Sequence, residues 1–155
     1  MEYDKLMKID KLHSESDIYK IDSKTYDLFS SAEDYPSTIA NFLSQKVKNK
    51  IVLDFGCGTG KFIHSLAPIS KSYIAMDISV SQLKLSKEKS KKLSNVKIIR
   101  NKPNEIPLKT DSIDLIFSSW VIGGIHNLKI REKLVGEMKR VIKNNGKIYL
   151  IENDI

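Results

Sequence analysis

The chain has one cysteine, Cys57, so no disulfide can form within it and no cysteine-rich metal site can be built. No apolar run approaches the roughly 20 residues a membrane helix needs, and the opening residues, Met-Glu-Tyr-Asp-Lys-Leu-Met-Lys, contain no signal-peptide core. The expectation is a cytoplasmic protein with no membrane partner and no metal. Internal repeats and low-complexity tracts are also missing. Aromatic residues make up only 8%, and they do not interleave with the basic residues as they do where single-stranded nucleic acid stacks. The formal charge of +7 leaves a nucleic-acid partner possible but unsupported. Its densest run, Lys84, Lys87, Lys89, Lys91 and Lys92, shares a predicted helix with Leu83, Leu85 and Leu93 and reads as a solvated face.

What is present suits a single domain, since 155 residues at 41% hydrophobic content can bury a core. Residues 1–34 are polar and mixed, with Tyr3, Tyr19, Tyr26 and Phe29 among charges, and read as an arm or lid. Residues 35–155 read as the domain proper. Pro36 suits an early helix position, and Ile39, Phe42, Leu43 and Val47 predict a helix over 36–48. Ile51-Val-Leu is a buried strand that ends at Asp54. Gly56, Gly58 and Gly60 follow it, and Phe62, Ile63, Leu66 and Ala67 at helical spacing predict a helix over 61–67.

Further strands are expected at 72–76, ending on Asp77, and at 96–100, 113–119 and 147–152. Ser79-Val-Ser-Gln82 reads as a capping box for the lysine-rich helix. Asn101 to Ser112 is a loop with Pro103 and Pro107, and Trp120 to Leu128 a loop with Gly123 and Gly124. A helix over 129–143 is stopped by Asn144-Asn145-Gly146. Strands alternating with helices give an α/β fold, Rossmann-like and doubly wound. Its sheet is mainly parallel, with about two helices on each face.

Glycines after a first strand admit close approach of a ligand, and free amides at the following helix start can receive its polar groups. A tight turn without a ligand has the same local pattern. Asp77, at the end of the second strand, is placed to accept from a ribose diol, so the two features together favour an adenosine-containing ligand. The spacing is G-x-G-x-G, which differs from the G-x-G-x-x-G of dinucleotide enzymes. Cys57 has no nearby base and reads as a small residue beside the ligand.

Val52-Leu-Asp-Phe-Gly-Cys-Gly-Thr-Gly60 and Ala75-Met-Asp-Ile-Ser79 resemble the first two motifs of class I S-adenosylmethionine-dependent methyltransferases, particularly the small-molecule branch called type 11. Glu105 to Ser119 and Lys139 to Leu150 are similar to the family's stretches entering strands four and five. The resemblance covers about residues 36–152, in the family's order and spacing. It implies S-adenosylmethionine as cofactor and methyl transfer to a small molecule. Gly56, Gly58 and Gly60 would admit the methionine part, Asp54 would help fix its amino end, Asp77 would accept from the ribose, and Ile78 would pack on adenine. Ser118 would offer its backbone carbonyl to the cofactor's amino group.

Relatives commonly carry Gly-Asp-Ala before the Leu-Pro pair, the aspartate accepting from the adenine amino group and the next amide donating to the ring. The common register places Lys102 and Pro103 there, and proline has no N–H. A register shifted by one places Asn101 and Lys102, which restores acceptor and amide, and is preferred. Where relatives carry histidines this chain has Gly123 and Gly124, with His126 two residues on as the candidate catalytic base; a solvent-facing loop histidine is the other reading. The family fold has two strands beyond the fifth that this sequence lacks, so the arm, a second copy or a partner is expected at the strand-five edge. The resemblance leaves open an RNA or protein methyltransferase and a non-catalytic cofactor-binding subunit.

Overall fold

The computed structural model describes residues 23–32 and 35–152. Most of the expected arm, with Tyr3, His13 and Tyr19, lies outside the described residues. The elements, in order, are α1 (Ser23–Ala32), α2 (Tyr35–Val47), β1 (Ile51–Phe55), α3 (Ile63–Leu66), β2 (Ser72–Asp77), α4 (Val80–Ser90), β3 (Val96–Arg100), β4 (Ile113–Ser119), α5 (Leu128–Val141) and β5 (Ile142–Ile151). The strands form one parallel sheet in the order β3-β2-β1-β4-β5. Leu53 on β1 pairs with Ile74 on β2 and Ile116 on β4. The chain therefore winds outward from β1 in both directions, and the crevice outside the carboxyl ends of β1 and β4 is where such sheets bind ligands.

Side-chain alternation sends Val52, Tyr73, Ala75, Leu115 and Phe117 to one face, against Ile39, Leu43 and Val47 of α2, Phe62, Ile63 and Leu66 around α3, and Leu83 of α4. Leu53, Phe55, Ile74, Met76 and Ile116 face the other way, onto Leu134, Met138 and Val141 of α5. Among the described residues this second face carries one helix, not the expected two. Pro103 and Pro107 keep the β3 to β4 connection from becoming a helix, and its fully buried Ile106 fills the space. A charged pair on α5 satisfies that loop's backbone. Glu137 accepts the Ile106 N–H at 3.0 Å, while Arg140 donates to the carbonyls of Ile106 and Leu108, each at 2.8 Å.

Two boundaries differ from expectation. The helix predicted over 61–67 is α3 alone, followed by a 3-10 turn at Ala67–Ile69, because Pro68 has no N–H to continue the helical ladder. The helix predicted over 129–143 ends at Val141. Ile142 donates its N–H back to Met138 but is already extended and pairs with Ile113. The Asn144-Asn145-Gly146 turn is then an irregularity inside β5, and pairing resumes at Lys147 opposite Leu115. On the sheet face that carries α5, β5 leaves Ile148 and Leu150 exposed.

Candidate functional site

The glycine turn leaves β1 with Gly56, Gly58 and Gly60 all at positive φ, +76°, +56° and +78°. Space matters as much as dihedral at Gly56, where a Cβ would lie 2.2 Å from Cγ2 of Val121. Several of the turn's amides are engaged by the protein itself. Gly56 and Cys57 donate to the Met76 carbonyl at 2.8 and 2.9 Å, Gly60 to Cys57, and Ile63 to Gly60. Gly58 donates to Oδ2 of Asp77 at 2.9 Å. The turn is thus a preformed concave surface, braced by its own bonds, and α3 is too short to act as an anion-binding helix start.

Asp77 stands at the centre of this bracing. Its Oδ1 accepts the Ser79 N–H at 2.8 Å, which is the bond a capping box would assign to Gln82. The box is therefore half made: Ser79 Oγ accepts from the Gln82 amide at 3.4 Å, and Asp77 supplies the other half. Ile78 follows, half-buried, its carbonyl accepting from Arg100 Nε at 3.1 Å.

Asn101 is 7% exposed and sits beside Asp77, donating its N–H to the Asp77 carbonyl at 3.2 Å. Its Nδ2 donates to the Lys102 carbonyl at 2.8 Å, which sets the amide's orientation. Oδ1 is then a buried acceptor without a partner, an arrangement that costs about 1–3 kcal/mol unless a donor arrives.

Asp54 is 2% exposed and accepts from the Tyr73 hydroxyl at 2.7 Å. Burial pushes its carboxyl up to about 7, against the Tyr73 bond, with the Asp77 charge raising it further and Lys61 lowering it. Tyr73 was not anticipated, although a phenol inside the otherwise apolar run of β2 was a visible signal. Burial, with Asp54 and Asp77 nearby, likewise pushes the Cys57 thiol well up, which suits an inert, packed side chain. Asp27 was also missed. It accepts from Thr59 Oγ1 of the glycine turn and from Lys89 of α4 at 2.6 Å, tying α1 to both.

At the end of β4, Ser118 is fully buried, and the Oγ atoms of Ser118 and Ser119 have no partner. Trp120 follows at φ +56°. The Lys61 ammonium lies 5.2 Å from its ring. His126 is exposed, next to the α5 cap Asn127. The structure brings together Asp54, the three glycines, Asp77 and Asn101, but joins His126 to none of them by a hydrogen bond. Among the described residues no group of three or more His, Cys, Asp or Glu is placed to hold a metal ion, and no helix is long and apolar enough to cross a membrane.

Comparison with known proteins agrees with this geometry. A family model described as a methyltransferase domain matches residues 53–150. An uncharacterized methyltransferase-like protein of Schizosaccharomyces pombe is 30% identical over 143 residues, covering 86% of this chain and 53% of that protein. Phosphoethanolamine N-methyltransferase 1 of Triticum aestivum is 28% identical over 141 residues, covering 86% of this chain and 26% of that protein. The chain thus spans about half, or less, of the length of these relatives. Among solved structures, a SAM dependent methyltransferase from Aquifex aeolicus matches with a TM-score of 0.66 at 25% identity, over 76% of this chain and 63% of that one. Phosphoethanolamine N-methyltransferase 1 of Haemonchus contortus, in complex with phosphoethanolamine and S-adenosylhomocysteine, shares the fold with a TM-score of 0.70 at 21% identity, over 95% of this chain and 31% of that one. With its glycine turn, its acidic second-strand end and this matched span, the chain belongs to the methyltransferase domain family, the class I S-adenosylmethionine-dependent methyltransferases.

Proposed function

We propose that this chain binds S-adenosylmethionine across the carboxyl ends of β1, β2 and β4 and directs methyl transfer to a small-molecule acceptor. The observation that carries the reading is the buried, partnerless Oδ1 of Asn101 beside Asp77. It is an acceptor in want of a donor, and an adenine amino group is such a donor. When bound, the cofactor supplies a methyl group on a cationic sulfur, which is already an electrophile.

The protein's part is then mainly to bind and orient. Asp77, held in place by the Gly58 and Ser79 amides, receives the ribose hydroxyls. The glycine turn, its Cβ positions taken up by Val121, Gln82, Ile63 and Ser86, presents its backbone to the methionine end, near Asp54 and the Ser118 backbone, and Ile78 and the Lys102 amide complete the adenine side. Where the acceptor must lose a proton, this reading assigns His126 as the base. A small acceptor is supported by the name of the wheat relative, a phosphoethanolamine N-methyltransferase.

Calorimetric titration with S-adenosylhomocysteine tests the reading. Micromolar affinity, about −8 kcal/mol, is expected for the wild type. Asn101→Ala should weaken it about tenfold through one lost hydrogen bond, and Asp77→Ala more. Absence of binding by the folded wild-type chain would refute the reading.

A further inference from the structure

We propose that Val121 couples the glycine turn to the loop at residues 120–126, and that Arg131 and Glu152 are positioning residues holding that loop where the turn can act on it. The inference rests on the cofactor reading above.

Val121 packs directly onto the glycine turn, although the two segments are far apart in sequence. A methyl of Val121 occupies the space that a side chain on Gly56 would fill, 2.2 Å from the position of its Cβ. Any displacement of the turn by a ligand therefore meets Val121 directly, and packed contacts of this kind transmit displacement without absorbing it. A second contact runs beside it. Lys61, directly after the last glycine of the turn, places its ammonium 5.2 Å from the ring of Trp120, the residue before Val121.

The loop's other side is held by polar bonds. The Trp120 N–H donates to the Ile151 carbonyl at 2.8 Å, at a residue whose φ of +56° is uncommon for a bulky side chain. The Ile122 N–H donates to Oε1 of Glu152 at 3.0 Å. Gly123 makes room for the same carboxylate, since a Cβ there would lie 2.9 Å from Oε2. Arg131 on α5 donates from Nε and Nη2 to the Ile125 carbonyl at 3.1 and 2.7 Å, and from Nη2 to the Gly123 carbonyl at 3.5 Å. A guanidinium can make such a forked grip and an ammonium cannot. The loop is thus clamped between the turn and a fixed frame formed by β5 and α5. Filling the cofactor site should reset the loop that follows β4, which carries His126, the base assigned in the proposed function.

Trp120 is the chain's only tryptophan, so its emission reports this loop. The test titrates the full chain with S-adenosylhomocysteine, reading heat, tryptophan emission and acrylamide quenching on the same samples. In the wild type the emission change should saturate with the calorimetric Kd. Val121→Ala should keep affinity within about threefold, below the range of a typical coupling, and lose most of the emission change. Arg131→Ala should likewise retain affinity, with raised quenching in the free protein and a diminished response, and Arg131→Lys should restore only part of it. An emission change that survives Val121→Ala would not run through Val121 and would overturn the coupling. So would binding without any wild-type response, or an Arg131→Ala variant that loses affinity and melting temperature together. Absence of heat in the wild type would instead defeat the cofactor reading, and this inference with it.

Discussion

Replacing Asp54 with asparagine should make the protein progressively more stable than the wild type as pH rises from 4 to 7. The Asp54 carboxyl is 2% exposed, and its value is raised from 3.8 to about 7, chiefly by burial. Below 3.8 the folded and unfolded chains both hold this proton, and the group contributes no pH dependence. Between 3.8 and 7 the unfolded chain releases it while the folded chain keeps it, so wild-type stability falls as pH rises, and above 7 the loss is complete. The interval corresponds to about 4 kcal/mol at most. Asparagine keeps an acceptor for the Tyr73 hydroxyl, now at 2.7 Å, and nearly the same volume, so the substitution removes the charge and leaves the packing. Urea unfolding at half-unit steps from pH 4 to 8 measures both proteins. Asp114 and Glu137, whose carboxyls are held low by their partners, give slopes of opposite sign, but these are common to both proteins and cancel in the difference. A difference curve that rises by less than about 1 kcal/mol across this range, or that falls, would refute the reasoning and mean that the fold solvates the Asp54 carboxylate.

Gly56→Ala forces an alanine to φ +76° and a Cβ into Val121; urea unfolding should show a loss of about 2–4 kcal/mol, well beyond what Gly136→Ala, with open space around it, would produce. Tyr73→Phe removes a side-chain donor from a buried carboxyl and should cost about 1–3 kcal/mol at neutral pH, with Asp54 titrating higher still, which a shifted pH-stability curve would show. The Glu137 carboxyl is lowered to about 2 by its bonds to Arg140 and the Ile106 N–H. Its contribution is therefore present above 4.5 and lost as pH falls toward 2. Glu137→Gln, at a partly exposed site, should cost about 1 kcal/mol at pH 7 and flatten that acid limb, as thermal melts from pH 2 to 7 would reveal.

Strand positions and the glycine turn were readable along the chain. Ile51–Phe55, Val96–Arg100 and Ile113–Ser119 are strands where short apolar runs end at polar or glycine residues, because strands of a parallel sheet covered on both faces need apolar side chains on both. The three glycines marked a turn that only glycine can make, and Asp77 marked the strand end beside it. Asn101 was expected as an acceptor from the family resemblance with a register shifted by one, and that its Oδ1 is buried without a partner was visible only in the tertiary structure.

What the amino-acid order alone determined, then, were features whose causes are local: periodic burial and left-handed glycines. The tertiary structure decided where the polar groups find partners. The turn's amides bond to Met76 and Asp77, Asp54 to Tyr73, Asp27 to Thr59 and Lys89, and Arg131 and Glu152 to the loop after β4. Nearly all of these join segments brought together by strand order and crossover. A hydrogen bond needs its two atoms within about 3 Å, and no pattern along the chain specifies that distance until the sheet has closed around it.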